Sequence, residues 1–292
     1  MKISLGNINS KFDGFAGLSQ LYNLIDSCKD RTCEVDMSCV SWMDANMCAP
    51  LGAVLYRYAL DNNIILPGLN RKLELLLQRN GFLPNFGFDR EKKEDVSKTT
   101  IEYKRFDNNE LSSFKNYVAS HFVGKGIPDM SRQLHRRFRE SISEIFENAA
   151  FHSLTTDGIF ACGQYFPQDF RLDFSIADLG IGISRNIQEK LGLFVDDENA
   201  IVWATSGENT TRQIEDGKPG GLGLKLLKEF ITLNGGTLQI VSYTGYWRFD
   251  HGNFITKRLP SPFPGTVVNI EINTADTQSY CLTSELNADD IF

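Results

Sequence analysis

The sequence predicts an α/β protein made of two structural units. Short strand and helix signals alternate over residues 1–83, which indicates a small α/β unit with parallel strands. A charged run from Asp89 to Asp95 then marks a boundary near residue 95. Residues 96–275 combine strand patterns with a long helical run, which predicts a larger second unit. Residues 276–292 are polar, and we expect a frayed tail there.

Four segments predict the first unit. Residues 33–38 alternate as a strand does, and residues 48–59 suit a helix with Pro50 in its first turn. Residues 64–66 form a short apolar strand that Pro67-Gly68 closes, and leucines at helical spacing follow over residues 69–78. The order strand, helix, strand, helix favours parallel pairing.

The second unit is predicted from strand and helix patterns in alternation. Its predicted strands are residues 101–106, 158–166, 170–177, 237–243 and 266–272, with a hairpin over residues 246–264. Its predicted helices are residues 111–122, a long run that begins near Ser131, residues 186–191 and 196–204, and a helix from residue 220 to about 233. Leu172, Phe174 and Ile176 alternate with smaller or polar residues, which predicts a sheet with one buried face.

Composition and charge exclude several functional classes. The chain has 292 residues, a formal net charge of −7 and a pI near 5.2, which argues against an extended nucleic-acid surface. We find no apolar run of bilayer-spanning length and no secretory signal at the start of the sequence. The six cysteines lack the spacing of a paired metal site, so we interpret them as reduced thiols. We therefore expect a cytoplasmic protein that does not contact membranes.

Glu144, Asn148 and His152 are the residues around which the second unit is organised. They are four positions apart in the long helical run, so each lies about 40° from the next on one helix face. A carboxylate, a carboxamide and an imidazole on one stripe are unusual for a core helix. The stripe indicates metal binding or catalysis, although His152 alone is equally compatible with packing near the helix end.

Two glycine motifs follow the stripe. The first, Asp178-Leu179-Gly180-Ile181-Gly182, continues directly from a predicted strand, and the second, Gly220-Gly221-Leu222-Gly223-Leu224, opens a predicted helix. A polar segment over residues 205–219 lies between them and suits a lid.

Together and in this order, these motifs closely resemble the GHKL superfamily, the ATP-binding fold shared by gyrase, histidine kinases and anti-sigma serine kinases. The resemblance covers residues 101–273, and the spacing of the stripe is most similar to that of the anti-sigma kinases. It implies an α+β sandwich over residues 96–275, with a mixed sheet and helices on one face. It also implies ATP and Mg²⁺ as cofactors.

The expected roles follow from chemistry and from this resemblance. Asn148 offers an amide oxygen to Mg²⁺, and Glu144 is the candidate base that accepts a proton from water or a hydroxyl. The resemblance implies that Asp178 accepts a hydrogen bond from the adenine amino group and that Thr266 reaches the adenine edge. The remaining residues expected to bind ATP are His152, Gly180, Gly182, Thr211, Lys218, Gly221, Leu222, Gly223 and Leu224.

The first unit carries a second resemblance. Val35-Asp36-Met37-Ser38, the stretch ending in Asp44, and the strand closed by Pro67-Gly68 resemble the STAS domains of anti-sigma-factor antagonists. In those domains a phosphate-accepting serine follows the aspartate, whereas Ala45 follows Asp44 here. The resemblance therefore implies a STAS-like unit over residues 1–95 that is not phosphorylated at this position.

The sequence leaves three functions open. The first is a serine/threonine protein kinase of the anti-sigma type, which implies a protein partner. The second is an ATPase switch, in which lid closure controls what the STAS-like unit binds; Ala45 favours it. The third is a nucleotide-binding module without catalysis. A homodimer is an oligomeric state that the sequence also leaves open.

Overall fold

A computed structural model of the chain describes residues 1–25, 32–87, 91–206 and 222–285. Three residues expected to bind ATP, Thr211, Lys218 and Gly221, lie outside the described residues. The expected lid lies outside them from residue 207 onward.

The first unit is a parallel sheet with its helices, as predicted, but it has three strands, and the strand over Lys2–Ser4 was not predicted. Its strands lie side by side in the order Lys2–Ser4 (β1), Thr32–Asp36 (β2) and Asn63–Ile65 (β3), and they pair in parallel. A helix over Phe12–Ile25 has no counterpart among the predicted elements, because Gly14 and Gly17 weaken its helical pattern. The elements are β1 Lys2–Ser4, α1 Phe12–Ile25, β2 Thr32–Asp36, α2 Cys48–Ala59, β3 Asn63–Ile65, α3 Arg71–Arg79 and α4 Phe82–Asn85.

The second unit is built on a five-stranded sheet with its strands in the order Thr100–Phe106 (β4), Ile159–Phe166 (β6), Arg171–Asp178 (β7), Asn253–Asn273 (β9) and Thr237–Asp250 (β8). Its elements are β4 Thr100–Phe106, α5 Leu111–His121, β5 Asp129–Met130, α6 Arg132–His152, β6 Ile159–Phe166, β7 Arg171–Asp178, α7 Ile183–Leu191, α8 Asp197–Thr205, α9 Leu222–Asn234, β8 Thr237–Asp250, β9 Asn253–Asn273 and β10 Ser279–Tyr280. Every neighbouring pair in this sheet is antiparallel, so the expected mixed sheet is wrong. Short reversals join β6 to β7 and β8 to β9, and such hairpins require antiparallel pairing.

Helix α6 begins at a side-chain hydrogen bond. The Ser131 hydroxyl accepts the N–H of Leu134 at 3.1 Å, which satisfies one of the free donors of the first turn. Phe138, Ile142 and Phe146 are buried on the face that contacts the sheet and α9. The predicted start near Ser131 is therefore confirmed.

Both faces of the five-stranded sheet are covered, which corrects the prediction of one buried face. Leu172, Phe174 and Ile176 pack in the cluster that contains α5, α6 and α9, whereas Ala177 belongs to the cluster of the first unit. Asp173 and Ser175, on the same side as Ala177, are also fully buried. Sequence patterns missed this because small and polar residues form the second buried face.

The first unit packs on the back of the sheet through buried polar contacts. Asn46 donates to the Ser175 hydroxyl at 3.0 Å and to the Asn269 amide oxygen at 2.7 Å. At the start of β7, Arg171 pairs with Asp44 at 3.1 Å. These contacts fix the orientation of the first unit, because each buried polar group depends on its partner across the boundary.

The described part of the segment after β9 forms a short strand and a 3₁₀ turn over residues 279–285, so the expected fraying is wrong for these residues. Ser279–Tyr280 pairs in parallel with β5, and the Ser131 hydroxyl donates to the Glu285 carboxylate. This contact ties the tail to the start of α6. Along the described residues, we also find no helix with the length and apolar character that a membrane span requires.

Candidate functional site

A pocket lies between α6 and the five-stranded sheet, and α7, α8 and the start of α9 also line it. Its apolar walls come from the helices and from the sheet: Ile145, Ala149, Ile176, Ile183, Ile240 and Val268. The structure brings seven of the expected site residues to this pocket: Glu144, Asn148, His152, Asp178, Gly182, Leu224 and Thr266. An apolar cavity with a few polar groups is the usual form of a small-molecule site.

The stripe on α6 faces this pocket along two turns. Glu144, Asn148 and His152 all line it, as their spacing of four residues predicts. The Glu144 carboxylate accepts the N–H of Gly223 at 2.9 Å. Glu144 therefore places a negative charge at the first turn of α9, where free N–H groups and the helix dipole attract anions.

Asp178 lies at the end of β7 and is 4% exposed. Burial raises the pKa of its carboxyl from an ordinary value of 3.8 to about 7, because desolvation disfavours the charged form. The backbone N–H of Gly180 opposes this rise by donating to the carboxylate at 2.8 Å, as do bonds from Ser153 and the Thr266 backbone. The pocket thus contains a buried acceptor whose charge changes near neutral pH.

The turn after Asp178 is held tightly against the end of α6. The N–H of Ile181 donates to the Ser153 carbonyl at 2.7 Å, and a Cβ on Gly180 would lie 2.1 Å from that oxygen. Gly180 is therefore required by packing against α6, and it lies outside the pocket lining. Gly182 adopts a φ of 76°, which favours glycine, and does line the pocket.

Thr266 lies opposite Asp178 on the neighbouring strand β9. Its hydroxyl is 3.3 Å from the Ser242 hydroxyl, and Ser242 accepts the N–H of Ile183 at 2.8 Å. Gly265, just before it, has a φ of 85°, and a Cβ there would lie 2.2 Å from the Asp178 carbonyl oxygen. Gly265 was not among the residues predicted for the site, although the Pro264-Gly265 pair is a sequence signal for a break in the strand.

The start of α9 contributes backbone groups and one apolar side chain. A Cβ on Gly223 would lie 2.3 Å from the Glu144 carboxylate and 3.1 Å from Ser141, so this glycine permits close contact between α9 and α6. Leu224 lines the pocket, and α9 begins at Leu222. The second glycine motif thus lies beside the stripe on α6.

Other residues of the pocket lining were not predicted from the sequence. Asn186 on α7 is 8% exposed, lines the pocket and donates to the His152 carbonyl at 2.8 Å. Trp203 and Ala204 on α8 form a further part of the lining. These residues lie on short helices between the two glycine motifs, and only the folded chain shows which of their faces meets the pocket.

The oxygen groups that α6 brings to the pocket include the Glu144 carboxylate and the Asn148 carboxamide. Asn148 is exposed beside the pocket, one helical turn from Glu144. Within the described ranges, no three His, Cys, Asp or Glu side chains are grouped closely enough to hold a metal. Mg²⁺ commonly takes only one or two protein oxygens and completes its shell with phosphates and waters.

No protein-family model matches the sequence, and a search of curated proteins finds none with significant similarity to it.

Proposed function

We propose that this chain binds Mg·ATP in the pocket between α6 and the sheet, as a signalling protein of the GHKL type. The proposal rests on one observation, which is that predicted site residues from separate segments meet at one pocket. Glu144, Asp178, Leu224 and Thr266 come from four separate segments, were singled out by the sequence, and line one pocket. A chance set of residues from four separate segments has no reason to meet around one cavity.

The adenine end of the site is the floor around Asp178. Apolar side chains such as Ile176 and Val268 suit the faces of a purine base, and Asp178 suits its exocyclic amino group. A buried acceptor selects a ligand that brings a donor, because an acceptor left unpaired in a pocket costs free energy.

The phosphate end is the side where α6 meets the first turn of α9. The backbone N–H of Gly223 lies there, and the helix dipole favours an anion. Asn148 is the protein ligand that we assign to Mg²⁺, which supplies charge neutralisation to the phosphates when bound. Glu144 lies near enough to this end to accept a proton from an attacking group.

The first use that we propose for the site is phosphoryl transfer to a serine or threonine of a protein partner. In that reaction Glu144 accepts the proton of the attacking hydroxyl, the new bond forms between that oxygen and the γ-phosphorus, and ADP leaves. The motif spacing on α6, similar to that of the anti-sigma kinases, supports this use.

A second candidate is an ATPase switch, and one observation favours it. Ala45 is fully buried and Asp44 is paired with Arg171, so the position where STAS antagonists carry their phosphoserine lies against the sheet. The STAS-like unit is thus joined to the ATP-binding unit rather than presented as its substrate. In this use Glu144 activates water, and the nucleotide state alters the shared boundary.

Calorimetric titration with Mg·ATP tests the site itself. We expect Asn148→Ala to weaken Mg·ATP binding by about tenfold or more, because it removes a metal ligand. Asn116→Ala, the same change at an exposed position of α5, is the matched control and should bind like the parent protein. Equal Mg·ATP affinity in the Asn148 variant and the control would refute the site.

Incubation with γ-labelled ATP and a cell lysate separates the uses. Label on a protein supports the kinase, and free phosphate alone supports the switch. Bound but unchanged ATP supports a nucleotide-binding module without catalysis.

A further inference from the structure

One arginine of the first unit reaches the segments that flank the adenine end of the pocket. Arg57 lies in the last turn of α2. Its Nε donates to the Asp157 carboxylate at 2.7 Å, and its Nη2 lies 2.7 Å from the same oxygen. Nη2 also donates to the carbonyl oxygen of Leu179 at 2.9 Å. Leu179 directly follows Asp178, so the guanidinium contacts the backbone next to the buried acceptor.

The two groups that Arg57 holds are linked to each other through the end of α6. The Asp157 N–H donates to the Thr155 hydroxyl at 3.3 Å, and the Thr155 N–H donates to the Ser153 hydroxyl at 3.1 Å. Ser153 in turn accepts the N–H of Ile181 through its carbonyl, at 2.7 Å. Arg57 therefore closes a ring of hydrogen bonds that runs from the loop after α6 to the turn after β7.

The ring depends on the shape of the arginine fork as well as on its charge. Nε and Nη2 of a planar guanidinium reach a carboxylate and a carbonyl at the same time, whereas a lysine ammonium acts as a point charge. The pair is partly shielded from water, with side-chain exposures of 34% for Arg57 and 11% for Asp157. Arg105 also approaches this loop, but it donates to the backbone carbonyl of Asp157 and not to Leu179.

We propose that Arg57 is a positioning residue, through which the first unit fixes the adenine-binding turn and so sets the base selectivity of the pocket. The inference rests on the proposed ATP site and names a residue and a unit that this site had not included. Arg57 lies outside the pocket lining and reaches the turn through its contacts with Leu179 and Asp157, and its charge also favours the ionised form of Asp178.

Selectivity is the property that this contact should control. Arg57 touches the turn that carries Asp178, whereas the phosphate end is formed by α6 and α9. A displaced turn weakens the hydrogen bond to the adenine amino group and leaves the phosphate contacts in place. Inosine triphosphate carries a carbonyl oxygen in place of that amino group, so its affinity does not gain from a correctly placed acceptor.

Binding of Mg·ATP and Mg·ITP to the full chain tests the proposal. We expect the parent protein to prefer ATP by about tenfold or more, the usual effect of one hydrogen bond to a charged group. Arg57→Lys and Arg57→Met should each lose most of that preference, with ITP affinity nearly unchanged. Arg57→Lys keeps the positive charge. A loss of ATP preference in this variant would therefore show that the planar guanidinium, and not the charge alone, positions the turn.

Arg171→Lys is the matched control. Arg171 also joins the two units, through its pair with Asp44, but at the opposite end of β7. Seven residue steps along the strand place it roughly 23 Å from Asp178. This variant should keep the ATP preference even if its melting temperature falls as much as that of Arg57→Lys, because a purely structural role does not change a ratio of affinities.

The outcomes separate the two proposals. An unchanged ATP-to-ITP ratio in both Arg57 variants overturns the positioning role while the ATP site stands. A ratio that survives in Arg57→Lys but not in Arg57→Met also overturns it, because charge alone would then suffice. If the parent protein does not bind ATP, the ATP site fails and the positioning role fails with it. If Asp178→Asn keeps the full preference, Asp178 does not read the base, and the positioning role fails although ATP binding stands. If Arg57→Met does not fold, Arg57→Lys decides the test.

Discussion

Lowering the pH from 8 to 6 should weaken ATP binding through protonation of Asp178. Burial raises the pKa of this carboxyl from 3.8 to about 7, so the group changes its charge within the range where the protein can be assayed. When Asp178 is protonated and its hydroxyl points at the ligand, that oxygen no longer accepts a hydrogen bond from the adenine amino group. The ionised form is therefore the form competent to bind.

The size of the effect follows from the population of that form. With a pKa of about 7, the ionised fraction is about 0.09 at pH 6 and about 0.91 at pH 8. The apparent dissociation constant is the intrinsic one divided by the competent fraction, so the ratio between the two pH values is about tenfold. The direction is fixed, because a raised pKa means that the acceptor is lost as the pH falls through about 7.

The assay is calorimetric titration with a non-hydrolysable ATP analogue and Mg²⁺ between pH 6 and pH 8. The phosphates of the ligand also titrate near this range, so Asp178→Asn is needed as the reference. An asparagine keeps an acceptor oxygen but has no proton to gain, so D178N should bind more weakly with a flatter pH profile. Parallel profiles in the parent protein and D178N would refute the argument, because the pH dependence would then come from other groups.

Two further substitutions test the phosphate end and the turn. Glu144→Gln removes a negative charge at the first turn of α9, so this variant should bind Mg·ATP as well as or better than the parent protein. It also removes the candidate base, so phosphate release or transfer should fall by about 100-fold or more. Glu147→Gln, on the same helix but outside the pocket lining, is its control in a γ-phosphate assay; unchanged turnover in the Glu144 variant would exclude it as the base. Gly265→Ala should destabilise the fold by about 1–3 kcal/mol and weaken ATP binding, because its φ is 85° and its Cβ would lie 2.2 Å from the Asp178 carbonyl oxygen. Gly252→Ala is the control, because Gly252 also has a positive φ, of 78°, but a Cβ there would approach only Thr232, at 3.7 Å. Equal losses of melting temperature in the two variants would contradict the role of the contact between residue 265 and the Asp178 carbonyl oxygen.

The local features of the site could be predicted from the sequence because they depend on short spacings. Three residues four apart define a helix face whatever the rest of the chain does, and the stripe on α6 does face the pocket. The first glycine motif directly follows a predicted strand, so its position at the end of β7 was also predictable. The parallel pairing of the first unit followed from its alternation of strands and helices.

Contacts between distant segments could not be predicted in this way. Asn46 meets Asn269 across 223 positions, and Arg57 meets Leu179 across 122, and no periodicity links residues so far apart. The second buried face of the sheet was missed for a related reason. Its buried residues include Asp173 and Ser175, whose polarity indicates a solvent-facing side until Asn46 and Arg171 are known to contact them.

The contact between Glu144 and Gly223 connects the two proposed uses of ATP. The carboxylate accepts an N–H at the first turn of α9, where we place the phosphates, so an arriving phosphate competes with Glu144 for the same donor. Displacement of Glu144 leaves a carboxylate beside the phosphates, where it is available as a base. The same displacement also breaks a contact between α6 and α9. Under the proposed function, catalysis and conformational switching would therefore begin with the same event. The two uses would differ in whether a partner's hydroxyl or a water molecule gives its proton to Glu144.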